Sequence, residues 1–278
     1  MPITLEELLN PRVPPNEDKH VGLEVEFASP IERDAFAMLV LPQPWACFAN
    51  VGTDSTVVAR GHHGLELRLC IRESELAAIL PQVGTFLKLH KVKVNKTCGL
   101  HVHLDMRHRD AKVSYLRLLG FQRTLLKLVA KERRNTYYAQ IVNLAARSFM
   151  YQCQNPNCAC MTRKPRKRCN KCTSKKPLVR SIPQEDSMTH WSRSATHYDA
   201  ISINPLSSKN TLEVRMHQGT IEAQEILDWV NLLRIVVDSS YYDAISTLTT
   251  EAERLKVFLQ LAPKPIQQYI RKSIRRYA

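Results

Sequence analysis

Four segments of the chain alternate between apolar and polar residues with a period of two. Because successive side chains of a β-strand point to opposite faces, this period predicts strands with one buried face and one polar face. The first segment, "VGLEVEF", places four apolar side chains on one face and two glutamates on the other. The four predicted strands are Val21–Phe27, Leu65–Ile71, Cys98–Met106 and Thr211–His217.

The apolar faces of these strands need helices to cover them, and helical periodicity occupies much of the remaining chain. Strands and helices do not alternate regularly, which favours an α+β fold around an antiparallel sheet over a doubly wound parallel one. The helix after Gly219 is apolar on nearly every side and should lie at the centre of the fold. We predict a fifth strand at Tyr198–Asn204 and helices at Glu73–Lys91, Ser114–Lys131, Asn135–Ser148, Thr220–Ile245 and Glu251–Leu261, followed by a basic amphipathic tail after Pro265.

The polar faces of the four strands carry a narrow set of residue types. For any one strand, a solvent-exposed face is the simplest interpretation. A solvent face in this lysine-rich chain should nevertheless show lysine, threonine or serine, and none occurs at these positions. If the strands share a sheet, their polar side chains form one surface suited to binding metal ions and phosphate. Apart from glycine, the residues are Glu24, Glu26, Glu66, Arg68, Cys70, His101, His103, Asp105, Glu213, Arg215 and His217.

These residue types narrow the chemistry. Carboxylate oxygens in this number suit Mg²⁺ or Mn²⁺, which usually bind phosphate groups as well. An arginine two residues after a glutamate, as at Arg68 and Arg215, offers a planar fork for phosphate oxygens. The face therefore suits phosphoryl transfer from a nucleotide. The sequence has no GxxxxGK[ST] stretch, so a P-loop does not supply the phosphate site.

The same segments resemble the signature segments of the amidoligase family. That family belongs to the carboxylate–amine ligase superfamily, together with glutamine synthetase and glutamate–cysteine ligase. The stretches that carry the resemblance are "GLEVEF", "CGLHVHLD", "HYDAISIN" and "TLEVRMHQGTIEAQEILDWV". The stretch from Gly52 to Arg68 is similar to the family's Asp-Gly-Ser segment and following glutamate, although Thr53 precedes Asp54 and no glycine follows it.

The resemblance implies a half-barrel antiparallel sheet whose concave face binds ATP and two or three divalent metal ions. It also implies that ATP phosphorylates a substrate carboxylate, and that an amine attacks the resulting acyl phosphate to give an amide. By their positions in the motifs, the metal ligands correspond to Glu24, Glu26, Glu66, His103 and Glu213. The catalytic residues correspond to Arg215, His101 and Glu213, and the nucleotide-binding residues to Glu24, Glu26, Arg215 and His101.

A second kind of site is indicated between Tyr151 and Pro183, where apolar periodicity stops. Five cysteines there have the spacing C-x4-C-x-C-x8-C-x2-C, and "CNKC" is typical of half a structural zinc site. Thiols in a flexible loop are the alternative, but a loop without apolar residues needs a metal ion to order it. We predict a zinc-binding module at 151–183, inserted into one catalytic domain spanning 1–278. Four of Cys153, Cys158, Cys160, Cys169 and Cys172 would bind Zn²⁺, and Cys160 is the expected spare.

Most of the formal charge of +14 lies in this module, because nine Lys or Arg and no acidic residue occur between Met161 and Arg180. The basic run could bind nucleic acid, an acidic protein or a polyanionic substrate, or be a solvated loop. No apolar run is long enough to span a membrane, and the N-terminus lacks the pattern of a signal peptide. We therefore expect a cytoplasmic protein with reduced cysteines and no membrane partner.

Two other functions fit parts of the sequence. A metal-dependent hydrolase could use His101 and His103 as zinc ligands, although Arg215 and the glutamate-rich face suit phosphate better than a single activated water. A ligase fold that binds nucleic acid or protein without catalysis is the second alternative. No motif specifies the carboxylate and amine substrates, and peptides and proteins are among the candidates.

Overall fold

A computed structural model describes residues 19–134, 198–238 and 250–277 continuously. Between residues 134 and 198 it describes only 136, 139–142, 150–152, 155, 158, 161–162, 172, 179–181 and 195–196. Within these residues the strands are β1 His20–Ser29, β2 Ala49–Thr53, β3 His63–Arg72, β4 Gly99–Asp105, β5 Met150–Gln152, β6 Met161–Thr162, β7 Val179–Ser181, β8 Ile201–Ser202 and β9 Thr211–Gln218. The α-helices are α1 Arg33–Val40, α2 Leu76–Leu89, α3 Ala111–Leu126, α4 Leu206–Lys209, α5 Ala223–Asp238, α6 Glu251–Leu261 and α7 Lys264–Tyr277.

Six of the strands form one antiparallel sheet in the order β2-β3-β1-β4-β9-β8. The edge strands β2 and β8 do not pair with each other, so the sheet is open. The predicted α+β class and antiparallel sheet are confirmed. The four long strands occupy the middle of the sheet, which brings their polar faces side by side.

The aliphatic face of the sheet forms one hydrophobic core with α2, α3 and α5. On β1, Val21 and Val25 are completely buried, as the alternation predicts. Helix α5 is the predicted central helix, and Trp229 and Leu233 are completely buried on it. The side chain of Asp110 caps the start of α3, since it accepts a hydrogen bond from the Val113 amide. With helices on the aliphatic face, the polar face is the one left for binding.

Helix α1 and strand β2 are among the elements that the sequence did not predict. Strand β2 has only five residues and no clear alternation, and it forms the sheet edge beside β3. The helix predicted at Asn135–Ser148 is wrong where that stretch is described, because Gln140 forms a parallel β-bridge with Asp199. The rest of that predicted helix lies largely outside the described residues.

Within the predicted inserted module, β6, β5 and β7 pair as a small antiparallel sheet. Of the five clustered cysteines, Cys158 is buried and Cys172 half-buried. The other three, Cys153, Cys160 and Cys169, lie outside the described residues, so the zinc-binding module stays a prediction. Among the helices that the structure describes, none is long and apolar enough to cross a membrane.

Candidate active site

The strand register brings the predicted polar residues onto one face of the sheet. Residues directly opposite one another on neighbouring strands point to the same face, so opposed pairs can be followed across four strands. The opposed pairs are Glu24 with Arg68, Glu26 with Glu66, Glu24 with His101, and His103 with Glu213. Gly22 lies opposite His103, and a Cβ atom at Gly22 would lie only 2.9 Å from the His103 Cβ. The glycine therefore leaves room for the histidine on this face.

The first group of candidate metal ligands is the histidine triad, which we define as Glu24, His103 and Glu213. One ligand atom from each of the three residues lies within 4.8 Å of the other two. His103 Nε2 is 3.1 Å from Glu24 Oε1 and 3.9 Å from Glu213 Oε1. The other ring nitrogen, Nδ1, is 3.0 Å from the Thr211 hydroxyl. That contact orients the ring so that Nε2 points at the two carboxylates.

The second group is the carboxylate triad, which we define as Glu26, Asp54 and Glu66. Their ligand atoms also lie within 4.8 Å of one another. Asp54 directly follows β2, and its amide donates a 3.0 Å hydrogen bond to the Gly64 carbonyl. The sequence did not predict Asp54 as a ligand, although it belongs to the stretch that resembles the Asp-Gly-Ser segment. That similarity was the signal that could have identified it.

His101 lies between the two triads. Its Nδ1 is 3.1 Å from Glu24 Oε2 and its Nε2 is 3.2 Å from Glu26 Oε1, so each ring nitrogen contacts a carboxylate of a different triad. Nδ1 is also 3.7 Å from Glu213 Oε1. The ring is almost completely buried. His101 is therefore placed to hold the carboxylates of both triads in position.

Three arginines line the same face. Arg215 forms an ion pair with Glu213, and Arg68 forms one with Glu66. The third, Arg133, was not predicted and comes from the short 3-10 helix Lys131–Arg133 that follows α3. Its Nη2 donates a 3.2 Å hydrogen bond to the Arg215 carbonyl. No alternating or motif pattern marks Arg133 in the sequence.

The surroundings shift the pKa values of Glu24, Glu26 and Glu66 in different directions. Burial raises the pKa of Glu66 to about 7, and the neighbouring Glu24 carboxylate adds to this effect while Arg68 opposes it. Burial also raises the pKa of Glu26, although His101 partly offsets it. Burial acts in the same direction on Glu24, but hydrogen bonds from His101 and His103 hold the pKa of Glu24 well below its usual range. The carboxylate triad thus has negative charge that its surroundings do not fully balance.

Burial disfavours the charged form of His101, but its hydrogen bond to Glu24 outweighs this and raises the pKa of His101. The nearby carboxylates Glu26 and Glu213 act in the same direction, against Arg215. A cationic His101 is therefore favoured as long as these carboxylates are ionised.

The prediction that His217 shares the polar face is wrong. Between the pairs Leu100–His217 and Val102–Val214, β9 contains one residue more than β4, so the register shifts by a β-bulge. His217 is completely buried, and its ring lies 4.9 Å from the Trp229 ring of α5. Burial there lowers the pKa of His217 to about 4. The bulge therefore moves the histidine to the helix-covered side of the sheet.

Asp105 and Cys70 lie away from the triads. Asp105 forms an ion pair with Arg107 at 2.6 Å and accepts a hydrogen bond from the His20 amide. Burial raises the pKa of the Cys70 thiol to about 11, so it stays protonated at neutral pH. Of the eleven polar residues predicted to share one surface, these two and His217 are not part of the candidate site.

A cavity of about 450 Å³ adjoins the carboxylate triad at Asp54. Its walls include His63 and Leu65 at the start of β3, and Glu32 and Asp34 at the start of α1. The unpredicted helix α1 therefore helps to form a space of mixed polar and apolar lining next to Asp54.

The model of a family described as "Putative amidoligase enzyme" matches residues 75–237, which is more than half of the chain. The chain belongs to the amidoligase family. The match confirms the resemblance and indicates an amide-forming type of ligase. It covers the H-x-H and E-x-R segments of this family member but begins after β3, so the place of Glu24, Glu26 and Glu66 in the site rests on geometry. No curated protein and no solved structure is significantly similar to the chain.

Proposed function

We propose that this member of the amidoligase family is an ATP-dependent carboxylate–amine ligase that forms an amide through an acyl phosphate. The observation that carries the proposal is the convergence of two triads of metal-ligand type and three arginines on one face of the sheet. Such a combination suits a nucleotide phosphate held by divalent cations and guanidinium groups. A half-barrel curvature of the sheet, with this face concave, is part of the same proposal.

The residues of both triads fit Mg²⁺ or Mn²⁺. The carboxylate triad offers oxygen atoms alone, and the histidine triad offers two carboxylates and one imidazole nitrogen. Burial, with a smaller contribution from neighbouring carboxylates, raises the pKa values of Glu26 and Glu66, and a divalent cation would favour their ionised forms. We therefore propose as metal ligands Glu24, Glu26, Glu66, His103 and Glu213, and we add Asp54. Bound metal ions would position the nucleotide and neutralise charge on its phosphates.

In the proposed reaction, a substrate carboxylate attacks the terminal phosphorus of ATP and ADP leaves. The amine then attacks the acyl carbon, the carbon–oxygen bond to phosphate breaks with its electrons leaving on the phosphate, and the nitrogen releases a proton to solvent. Arg215 lies beside Glu213 and supplies positive charge where the phosphoryl group is transferred. His101 holds Glu24 and Glu26 at a fixed separation by contacting both. We assign the cavity beside Asp54 to a polar substrate.

The geometry disfavours a zinc hydrolase that uses the H-x-H pair. Such an enzyme would need both histidines on one ion. His103 groups with Glu24 and Glu213, whereas both ring nitrogens of His101 contact carboxylates, one in each triad. The two histidines of this chain therefore have different environments.

The proposal is tested by incubating the protein with ATP, Mg²⁺ or Mn²⁺, and mixtures of carboxylates and amines. ADP release that requires both substrates, with an amide detected by mass spectrometry, would support it. Mg·ATP should also raise the melting temperature, because it binds only the folded state. Glu24→Gln and Glu26→Gln should remove most of that rise, whereas Glu222→Gln, on an exposed glutamate paired with Lys88, should keep it. An unchanged rise in both site variants would contradict the metal-binding face.

We also propose that residues 151–183 bind one structural Zn²⁺ through four of the five clustered cysteines, and that the basic run contacts a polyanionic partner. A Cys169→Ser, Cys172→Ser double variant should lose the zinc that copurifies with the wild type. Metal analysis of the wild-type protein without zinc would contradict this part of the proposal. The cytoplasm is the proposed location, since thiols stay reduced there.

A further inference from the structure

Arg133 is the inward-facing residue of the 3-10 helix Lys131–Arg133. Lys131 and Glu132 are exposed, whereas Arg133 is 5% exposed. The segment is held on both sides: the Ala130 amide donates to Gln218 Oε1 at 3.1 Å, and the Arg134 side chain donates from Nη2 to the Tyr277 carbonyl at 2.7 Å. The fold therefore fixes the direction in which the Arg133 side chain enters the protein.

The guanidinium group of Arg133 reaches the candidate active site across Gly99. A Cβ atom at Gly99 would lie 2.6 Å from Arg133 Nη2, 3.1 Å from His101 Nε2 and 3.3 Å from Glu26 Oε2. The arginine, the histidine and the glutamate thus meet around one backbone position that has no side chain of its own. A larger residue at position 99 would collide with the guanidinium group.

The hydrogen-bonding capacity of this arginine is not used up within the described protein. Arg133 Nη2 donates to the Arg215 carbonyl, but the buried Arg133 Nε has no partner among the described residues. The Nε of Arg215 is also buried without a partner among them. Glu26 is close to Arg133, but its Oε2 already accepts a 2.6 Å hydrogen bond from the Gly99 amide. Buried polar groups nearly always have partners, so an acceptor atom is expected for each of these two Nε–H groups.

We infer that Arg133 and Arg215 together bind an oxyanion of the reactants, with Arg133 as a binding residue outside the four stretches that carry the family resemblance. The inference rests on the proposed function, in which the oxyanion is the transferred phosphoryl group or the substrate carboxylate. Two guanidinium groups with free Nε–H donors can each hydrogen-bond a different oxygen of such a group. They join the site from β9 and from the segment after α3, so the anion would bind between two separate parts of the fold.

The test measures binding by calorimetry for Mg·ATP, Mg·ADP, inorganic phosphate and a panel of simple carboxylates from acetate to succinate. It compares the wild type with Arg133→Gln and with Lys131→Gln, which removes one positive charge from the exposed side of the same 3-10 helix. Arg133→Gln should weaken binding of at least one oxyanion by about 10- to 100-fold, the effect of losing a charge-assisted hydrogen bond. Lys131→Gln should bind all of them like the wild type.

The pattern of losses separates the two anions. Weaker binding of Mg·ATP with unchanged Mg·ADP would assign Arg133 to the transferred phosphoryl group. Weaker binding of a carboxylate with both nucleotides unchanged would assign it to the substrate. Wild-type affinity of Arg133→Gln for every probe would overturn the inference, as would a wild-type protein that binds no oxyanion.

Two further measurements distinguish oxyanion binding by Arg133 from a purely structural role of this residue, and test the inference independently of the proposed function. Without ligand, Arg133→Gln should melt only modestly below the wild type, since it loses the hydrogen bond to the Arg215 carbonyl but also removes the unpartnered Nε donor. If that variant does not fold, Arg133→Lys keeps the charge but loses the planar fork, and it should still bind the oxyanion several-fold more weakly. Unchanged affinity in Arg133→Lys would then overturn the inference. If oxyanion binding depends on Arg133 but no amide product forms, the proposed function alone is contradicted. If amide forms at the wild-type rate in the Arg133 variants, the inference alone is contradicted.

Discussion

The histidine triad and the carboxylate triad share one face of the sheet, but their charges are balanced differently. In the histidine triad, His101 and His103 hydrogen-bond to Glu24, whose pKa is held well below its usual range. In the carboxylate triad, burial raises the pKa of both Glu26 and Glu66. Hydrogen bonds from the histidines therefore outweigh burial at Glu24, whereas burial outweighs the favourable contacts at Glu26 and Glu66.

Each triad also has its own arginine two residues along the strand from a glutamate. The two pairs, Glu213–Arg215 and Glu66–Arg68, have the same spacing and the same kind of ion pair. They differ in burial, since the Arg215 side chain is 16% exposed and that of Arg68 is 41% exposed. Charges act more strongly where water is excluded, so the two arginines should not contribute equally to the reaction.

The largest expected effect comes from comparing these two arginines. Arg215→Ala should lower kcat about 100-fold or more while changing Mg·ATP binding much less, because its charge matters most as the phosphoryl group moves. Arg68→Ala should lower kcat by about 10-fold or less, since water already screens that side chain. Steady-state kinetics with calorimetric nucleotide binding would measure both. Equal losses of kcat in the two variants would show that the difference in burial does not make the two arginines contribute differently to the reaction.

The second prediction uses stability against pH in the ligand-free protein. Glu66 has a pKa of about 7 in the folded chain and an ordinary value of 4.5, so the folded state binds its proton more tightly. Stability from this group is present at low pH and is lost as the pH rises through 4.5 towards 7. The raised pKa of His101 acts in the same direction, since its stabilisation is full below 6.5 and is lost as the pH rises through the folded pKa. Buried His217 acts in the opposite direction, because its pKa is lowered to about 4 and its stabilisation grows as the pH rises to 6.5. Between pH 5.5 and pH 8 the ligand-free wild type should therefore lose more stability than Glu66→Gln, which lacks the Glu66 contribution alone.

Glutamine variants of Glu66 and Glu24 show which triad causes the dependence of stability on pH. Glu66→Gln should raise the stability at pH 8 by about 1–3 kcal/mol and change it little at pH 4.5, because glutamine has no charge to bury. Glu24→Gln should lower the stability at pH 8, since a lowered carboxylate pKa stabilises the fold above its ordinary value. The free energy of unfolding, measured with denaturant at pH 4.5 and pH 8, reports both effects. If Glu66→Gln is less stable than the wild type at pH 8, the conclusion that the buried Glu66 charge destabilises the folded protein is wrong.

The two triads were also not equally predictable from the sequence. All three residues of the histidine triad lie on alternating strands inside short motifs, and each was a predicted metal ligand. Asp54 of the carboxylate triad lies after an edge strand without alternation, and the tertiary pairing of its amide with Gly64 places it in the site. The antiparallel α+β fold and the central helix α5 followed from periodicity, because that pattern reflects burial directly.

Features that depend on single-residue geometry could not be predicted. Perfect alternation along β9 put His217 on the polar face, but one extra residue in that strand moved it against Trp229. Arg133 comes from a separate segment after α3, and only the packed fold brings it beside His101. Periodicity specifies which face a residue of a regular strand occupies, and it carries no information on bulges or on residues that enter a site from elsewhere.

The smallest expected effect concerns Lys209 at the end of α4. Its Nζ lies 3.6 Å from Glu24 Oε1, and the side chain is 56% exposed. An exposed ion pair of this kind contributes about 0–1 kcal/mol and weakens as salt is added. Because His101 and His103 already hydrogen-bond to Glu24, Lys209→Gln should change kcat by less than about 3-fold, with the difference disappearing at high salt. Kinetics at low and high ionic strength would measure this. A loss of tenfold or more that persists in salt would mean that the histidines alone do not balance the charge of Glu24, and that Lys209 is needed beside them.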